Sequence, residues 1–207
     1  MKIAILGTGN VGQALGGGWA RGGHAVLFGT REPAGEKARA VVEAVGGGAT
    51  AVAHQTAVDA ADVVVVATPW AATEALLTGL RGWAGKVLVD ATNPIAPGLQ
   101  LAVGKETSGG ELVAGWAPGA RVVKAFNTTG YNNMADPVYA GESTTMFIAG
   151  DDAAAKATVA ALAEELGFDV ADVGGLAAAR FLEPLALVWI RLARGLGREI
   201  ALKLVRR

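Results

Sequence analysis

Six residues, Gly7-Thr8-Gly9-Asn10-Val11-Gly12, stand between the apolar run Lys2–Leu6 and a segment, Val11–Arg21, with helical spacing. Glycines at the first, third and sixth places of a strand-to-helix turn suit a pyrophosphate. The first permits the tight bend, the second lets backbone approach the phosphates, and the third lets the helix pack close to the strand. A helix start adds free N–H groups and a partial positive charge. The chemistry on offer is dinucleotide binding.

The second apolar run, Ala25–Phe28, is followed by Gly29-Thr30-Arg31. A free ribose 2′-hydroxyl is usually held here by Asp or Glu, and a carboxylate would repel a 2′-phosphate. Thr30 offers a hydrogen bond and Arg31 a charged fork, so the expected cofactor is NADP(H). Glu32 opposes that preference, since it can reach a ribose hydroxyl. Lys37 and Arg39 add charge on the next helix and read equally well as solvated surface.

Groups for acid–base or metal chemistry are scarce. The chain has no cysteine and two histidines. His24 lies in a Gly-Gly-His turn and reads as structural, while His54 follows the third strand with no second ligand near it. Asp151-Asp152 read as helix caps, and no metal is expected. Hydride transfer between two rings needs orientation and exclusion of water more than a proton donor, so the scarcity is compatible with it.

These residues must be positioned by alternating strands and helices. Pro33 opens a helical stretch that reaches Val45 and stops at Gly46-Gly47-Gly48, and Thr50–Ala53 reads as the third strand. Asp62–Ala67, Lys86–Asp90 and Arg121–Phe126 have the continuous apolar character of strands covered on both faces. Thr144–Ala149 reads as strand, Ala153–Leu166 as helix and Phe168–Val173 as strand. A final helical region is expected from about Leu176 to Arg207, begun or kinked at Pro184. The fold class is α/β, a Rossmann-type doubly wound, mostly parallel sheet. Residues 1–142 form its NADP-binding part, and 143–207 a strand-helix-strand-helix extension packed with it as one unit.

Thr68-Pro69-Trp70, Asn93-Pro94 and Ala125-Phe126-Asn127-Thr128 each follow a predicted parallel strand, so they converge on the sheet edge where open α/β sheets bind ligands. Trp70 and Phe126 are expected as apolar walls of an acceptor cleft, with Asn93, Asn127 and Thr128 as its polar border; packing of a helix start is the alternative for Trp70, and shaping a turn the alternative for Asn93.

Composition narrows the classes. Of 207 residues 52% are apolar and 18% charged, and the net charge of -1 leaves no basic excess for a nucleic-acid backbone. Ile3-Ala4-Ile5-Leu6 ends at Gly7, too short for a signal-peptide core, and no apolar run approaches the roughly 20 residues of a membrane span. A cytoplasmic protein beginning at Met1, with no membrane partner, is expected. Leu182, Leu185, Leu187, Val188, Trp189 and Leu192 are too many apolar residues for one exposed helix, which predicts a homodimer; packing within the chain is the alternative.

Several separated segments resemble the NADP oxidoreductases typified by coenzyme F(420)-dependent NADP reductase. They are the Gly7–Gly12 loop, Gly29-Thr30-Arg31, Thr68-Pro69-Trp70, Gly150-Asp151-Asp152, and a C-terminal pattern with Arg180, Leu182-Glu183, Leu185, Gly195, Gly197 and Lys203. The resemblance implies a Rossmann fold with a small C-terminal extension, usually dimeric, in which two cofactors meet at the strand ends. It places the phosphate loop on Thr8, Gly9, Asn10 and Val11 and the 2′-phosphate clamp on Thr30 and Arg31. The nicotinamide neighbourhood falls on Pro69, Trp70, Asn93, Pro94 and Ala125–Thr128. The deazaflavin reductases carry a further glycine in the phosphate loop, and His-Thr-Ile-Pro where this chain has Asn127-Thr128-Thr129-Gly130. Lys124–Thr128 is more similar to the reductase domain of flavin-using metalloreductases. The implied small-molecule acceptor is therefore a deazaflavin (coenzyme F(420)) or a flavin. A small imine or carbonyl reductase using NADPH and a non-enzymatic NADP-sensing module are the alternatives.

Overall fold

The computed structural model describes residues 1–207. The chain begins β1 (Lys2–Leu6), α1 (Asn10–Arg21), β2 (Ala25–Thr30), α2 (Glu36–Val45), β3 (Thr50–Ala53), α3 (His54–Ala60), β4 (Val63–Val66), α4 (Trp70–Thr78) and β5 (Val87–Asp90). A small hairpin, β6 (Ile95–Ala96) and β7 (Gln100–Leu101), leads to α5 (Gly109–Trp116), β8 (Arg121–Lys124) and α6 (Tyr131–Ala135). A second hairpin, β9 (Val138–Tyr139) and β10 (Glu142–Ser143), precedes β11 (Thr145–Gly150), α7 (Ala153–Glu165) and β12 (Asp169–Asp172). A single 3-10 turn at Leu176–Ala178 then runs into α8 (Ala179–Leu196).

The sheet has eight strands in the order β12-β11-β8-β5-β4-β1-β2-β3. The six from β3 to β8 are parallel, β11 is antiparallel to β8, and β12 is parallel to β11. The order reverses between β1 and β4, which opens a crevice at their carboxyl ends. Successive side chains of a strand point to opposite faces, and both faces are covered. Ile3, Ile5, Val63, Val65, Val87 and Val89 enter one core, with Trp19, Phe28 and Phe168. Ala4, Leu6, Val64, Val66 and Leu88 enter the other, with Leu77, Trp83 and Val113. The run of valines in β4 thus serves two cores at once.

Two expectations are corrected. The final helix does not reach Arg207. It stops at Leu196 because Gly197 takes φ 85°, outside helical space, and residues 198–207 form neither helix nor strand. That tail is tied to the start of β11: Thr145 N–H donates to Leu202 O at 2.9 Å, and Leu204 N–H to Thr145 Oγ1 at 2.9 Å. The strand expected at Arg121–Phe126 ends at Lys124 because Phe126 turns to φ 62°. Pro184 lies inside α8, which continues through it. Asp152 caps α7 as expected, its Oδ1 accepting Ala155 N–H at 2.7 Å, and no helix is long and apolar enough to cross a membrane.

Candidate active site

Gly7 has φ 136°, and a side chain there would collide with Ala67 O; one at Gly12 would collide with Gly7 O. The fold itself requires these two glycines. Gly9 differs, for it is extended (φ -81°), exposed, and has open space where a side chain would stand. Nothing within the chain asks for glycine at position 9, whereas close approach of an outside group to the backbone does. No side chain caps α1, so its first N–H groups remain available, and Gln13 Nε2 steadies the loop by donating to Thr8 O at 3.0 Å.

At the end of β2, Arg31 is exposed and forms no ion pair, and Thr30 Oγ1 accepts the Glu32 N–H at 3.4 Å. The Glu32 side chain folds over Gly35. His54 lies over Gly29 beside this point, and partial burial, with the Arg31 charge, pushes its pKa below the ordinary histidine value. Unpaired positive charge beside a threonine hydroxyl is the donor set a 2′-phosphate needs. His24, by contrast, bonds Glu165 at 2.6 Å and the N-terminus at 3.2 Å, a structural role as expected.

The ends of β5 and β8 meet through a pair of amides. Asn93 Nδ2 donates to Asn127 O at 2.8 Å, and Asn127 Nδ2 donates to Asn93 Oδ1 and to Leu182 O, each at 3.1 Å. Asn127 is 3% exposed, and its Oδ1 is buried without a donor. A buried acceptor left empty costs free energy. A cavity of about 370 Å³ adjoins the pair, reaching from Val11 of the phosphate loop to Tyr131, Trp189 and Arg198.

The expected aromatic walls are placed elsewhere. Phe126 is 1% exposed, and its ring meets Trp19 at 5.7 Å and Phe168 at 6.3 Å, edge to face, in the core. Its left-handed backbone sends the ring inward and leaves Asn127 at the crevice. Trp70 packs on Trp116 at 5.3 Å and over Gly109, away from the cavity, and Thr128 is buried. Tyr131 and Trp189 are the aromatic residues that line the cavity. Pro69 is exposed at the start of α4, while Pro94 and Ala125 are buried behind the amide pair.

Sequence order also concealed a buried ionic cluster. Lys124 Nζ donates to Asp90 Oδ2 at 2.8 Å, Glu183 Oε1 at 2.9 Å and Thr92 O at 2.9 Å. Glu183 in turn accepts the Gly109 and Gly110 N–H groups at the start of α5, each at 3.0 Å. Burial alone would lower the Lys124 pKa, but Asp90 and Glu183 outweigh it and hold the ammonium above its ordinary value. Asp90 Oδ1 also accepts the Thr92 N–H and hydroxyl, so the cluster shapes the turn that presents Asn93. The available signal was a lone lysine ending a buried strand and a lone glutamate in an apolar helix.

The family model for coenzyme F420-dependent NADP oxidoreductases matches residues 2–94. A solved protein of Arthrobacter sp. FB24, provisionally named an F420-dependent NADP-reductase, is 38% identical with a TM-score of 0.90 over the whole of both chains. The chain belongs to this family. It is an NADP-dependent oxidoreductase. It is also 30% identical over 187 residues to the metalloreductase STEAP3 of Rattus norvegicus, covering 90% of this chain and 36% of that protein. This oxidoreductase thus spans about a third of the length of that curated relative. A reductive aminase of Aspergillus terreus solved with NADPH4, cyclohexanone and allyl amine is 22% identical, with a TM-score of 0.69 over 94% of this chain and 61% of its own, a likeness of fold.

Proposed function

We propose that this oxidoreductase moves hydride between NADPH and a flat conjugated acceptor of the flavin or deazaflavin (coenzyme F(420)) type. The observation that carries the reading is the cavity beside the Asn93–Asn127 pair, continuous with Val11 of the phosphate loop. Residues Thr8 to Gly12 and the start of α1 would hold the pyrophosphate, and Thr30 and Arg31 the 2′-phosphate. Asn127 Oδ1 would accept an N–H of the nicotinamide carboxamide, with Asn93 fixing the amide's orientation. Bound there, NADPH would supply a hydride, that is two electrons with one proton, and full reduction of the acceptor ring would take up one further proton. The protein's work is to align two rings and exclude water between them. In this reading residues 1–142 carry the cofactor, and residues 143–207 supply Trp189 and Arg198 to the acceptor side.

Tyr131 gives a second reading some ground. It is a phenol at the cavity, and reduction of an imine or carbonyl needs a proton donor. NADPH oxidation followed optically with a deazaflavin, FMN, FAD, a ferric chelate and a cyclic imine separates the readings. Turnover of the conjugated rings supports the proposal, turnover of the imine alone replaces it, and turnover of none favours an NADP sensor. The reading includes a homodimer, because Phe181, Val188, Leu192 and Leu196 leave an exposed apolar stripe along α8.

A further inference from the structure

The outer wall of the cavity beside Asn93 and Asn127 carries Arg194, in the last turn of α8, and Arg198, just past Gly197. Neither takes part in any of the protein's eight ion pairs. Arg198 is nonetheless held in place, its guanidinium 4.7 Å from the Tyr131 ring centroid and 5.4 Å from that of Trp189. Asn132 Nδ2 bonds the Arg198 carbonyl at 2.8 Å, fixing the backbone beneath it. The nearest acid in sequence, Glu199, is turned to Asn132, whose Nδ2 it accepts at 3.2 Å, and toward Tyr139. The third arginine of this helix end, Arg191, donates to Leu99 O at 3.2 Å. No carboxylate lines the cavity. Its inner end offers neutral amides and its outer end two uncompensated cations.

We infer that Arg194 and Arg198 are specificity-determining residues that select an acceptor carrying an anionic arm, a phosphate or carboxylate, on its flat ring. The inference rests on the proposed placing of the acceptor in this cavity. A neutral acceptor would leave both cations solvated and gain nothing from them, whereas an anionic arm forms charge-assisted hydrogen bonds with planar forks. Arg198 already lies against two rings, so less of its freedom is lost on binding. The cofactor's own pyrophosphate is the other anion within reach of Val11, and the experiment separates the two.

FMN and riboflavin share one ring and differ by a phosphate. Titration of each into the NADP⁺-loaded protein, read by flavin fluorescence, should show FMN bound about ten-fold or more tighter. The Arg194→Ala/Arg198→Ala double variant should lose that difference while the NADP⁺ affinity stays as it was. In the unaltered protein, added salt should weaken FMN more than riboflavin, a check independent of any variant. Equal binding of the two flavins, or no binding of either, overturns the inference. So does a fall in NADP⁺ affinity matching the fall in FMN affinity, which would assign the arginines to the cofactor. Failure of the hydride-transfer reading looks different: rings bind, with FMN preferred, yet none oxidises NADPH.

Discussion

Trp189 of α8 occupies the space that a side chain at Gly130 would need: a Cβ built at Gly130 would overlap the edge of the indole ring. The same indole donates its N–H to Ile200 O at 2.9 Å. One residue therefore fastens the loop that follows β8 to both the last helix and the C-terminal tail. Gly130→Ala should cost roughly 1–3 kcal/mol through overpacking. It should also weaken flavin binding at the cavity while NADPH affinity, set mainly at the far end of the crevice, changes little. Urea unfolding together with calorimetric NADPH titration checks this; unchanged stability would show that Trp189 moves aside freely.

Arg31 should favour NADPH over NADH. Its guanidinium is exposed and unpaired, so Arg31→Ala should reduce NADPH affinity roughly ten-fold and leave NADH binding nearly as before. Calorimetric titration of both cofactors measures the change, and equal affinities in the unaltered protein would sink the claim.

Lys124→Met should destabilise by about 3–5 kcal/mol, because it strands Asp90 and Glu183 in the interior without their cation. Chemical denaturation reads this directly. A loss below about 1 kcal/mol, the size of an ordinary hydrogen bond, would mean the two carboxylates are adequately served by backbone N–H groups.

Glu111 gives a pH dependence with a definite sign. The hydrogen bonds from Arg180 hold its carboxyl below its ordinary pKa, against the opposing effect of partial burial. The folded state thus binds this proton less readily than the unfolded one, in which the pKa is about 4.3. The clasp between α5 and α8 stabilises fully above that value and is lost as pH falls through the lower folded value. Glu111→Gln should therefore lower the melting temperature at neutral pH, and the difference should close at acid pH. A difference that persists at acid pH would disprove the clasp.

Val188→Glu and Leu192→Glu place charge on the exposed stripe of α8. If the stripe joins two copies, light scattering should show a dimer in the unaltered protein and a monomer in the double variant. A monomer in both refutes the interface.

The sequence alone determined what neighbouring residues decide among themselves. Gly7 and Gly12 announced the strand-to-helix turn because backbone crowding there excludes any other residue, and Thr30-Arg31 carried the expectation of NADP(H) because charge type is read without tertiary context. The βαβ order was legible from periodicity, since strands buried on both faces must be apolar at every position. Tertiary structure decided which side chains reach the cavity. Phe126 follows its strand as Trp70 follows β4, yet its left-handed backbone turns the ring into the core, and Trp70 is drawn onto Trp116. The aromatic residues that line the cavity are Tyr131 and Trp189, from α6 and α8. Lys124, Asp90 and Glu183 likewise come from three separate elements. Sequence spacing records which residues share a strand or helix face, but the direction of a side chain at a strand end depends on one backbone angle and on what packs across from it. Both are set by contacts between segments far apart in the chain.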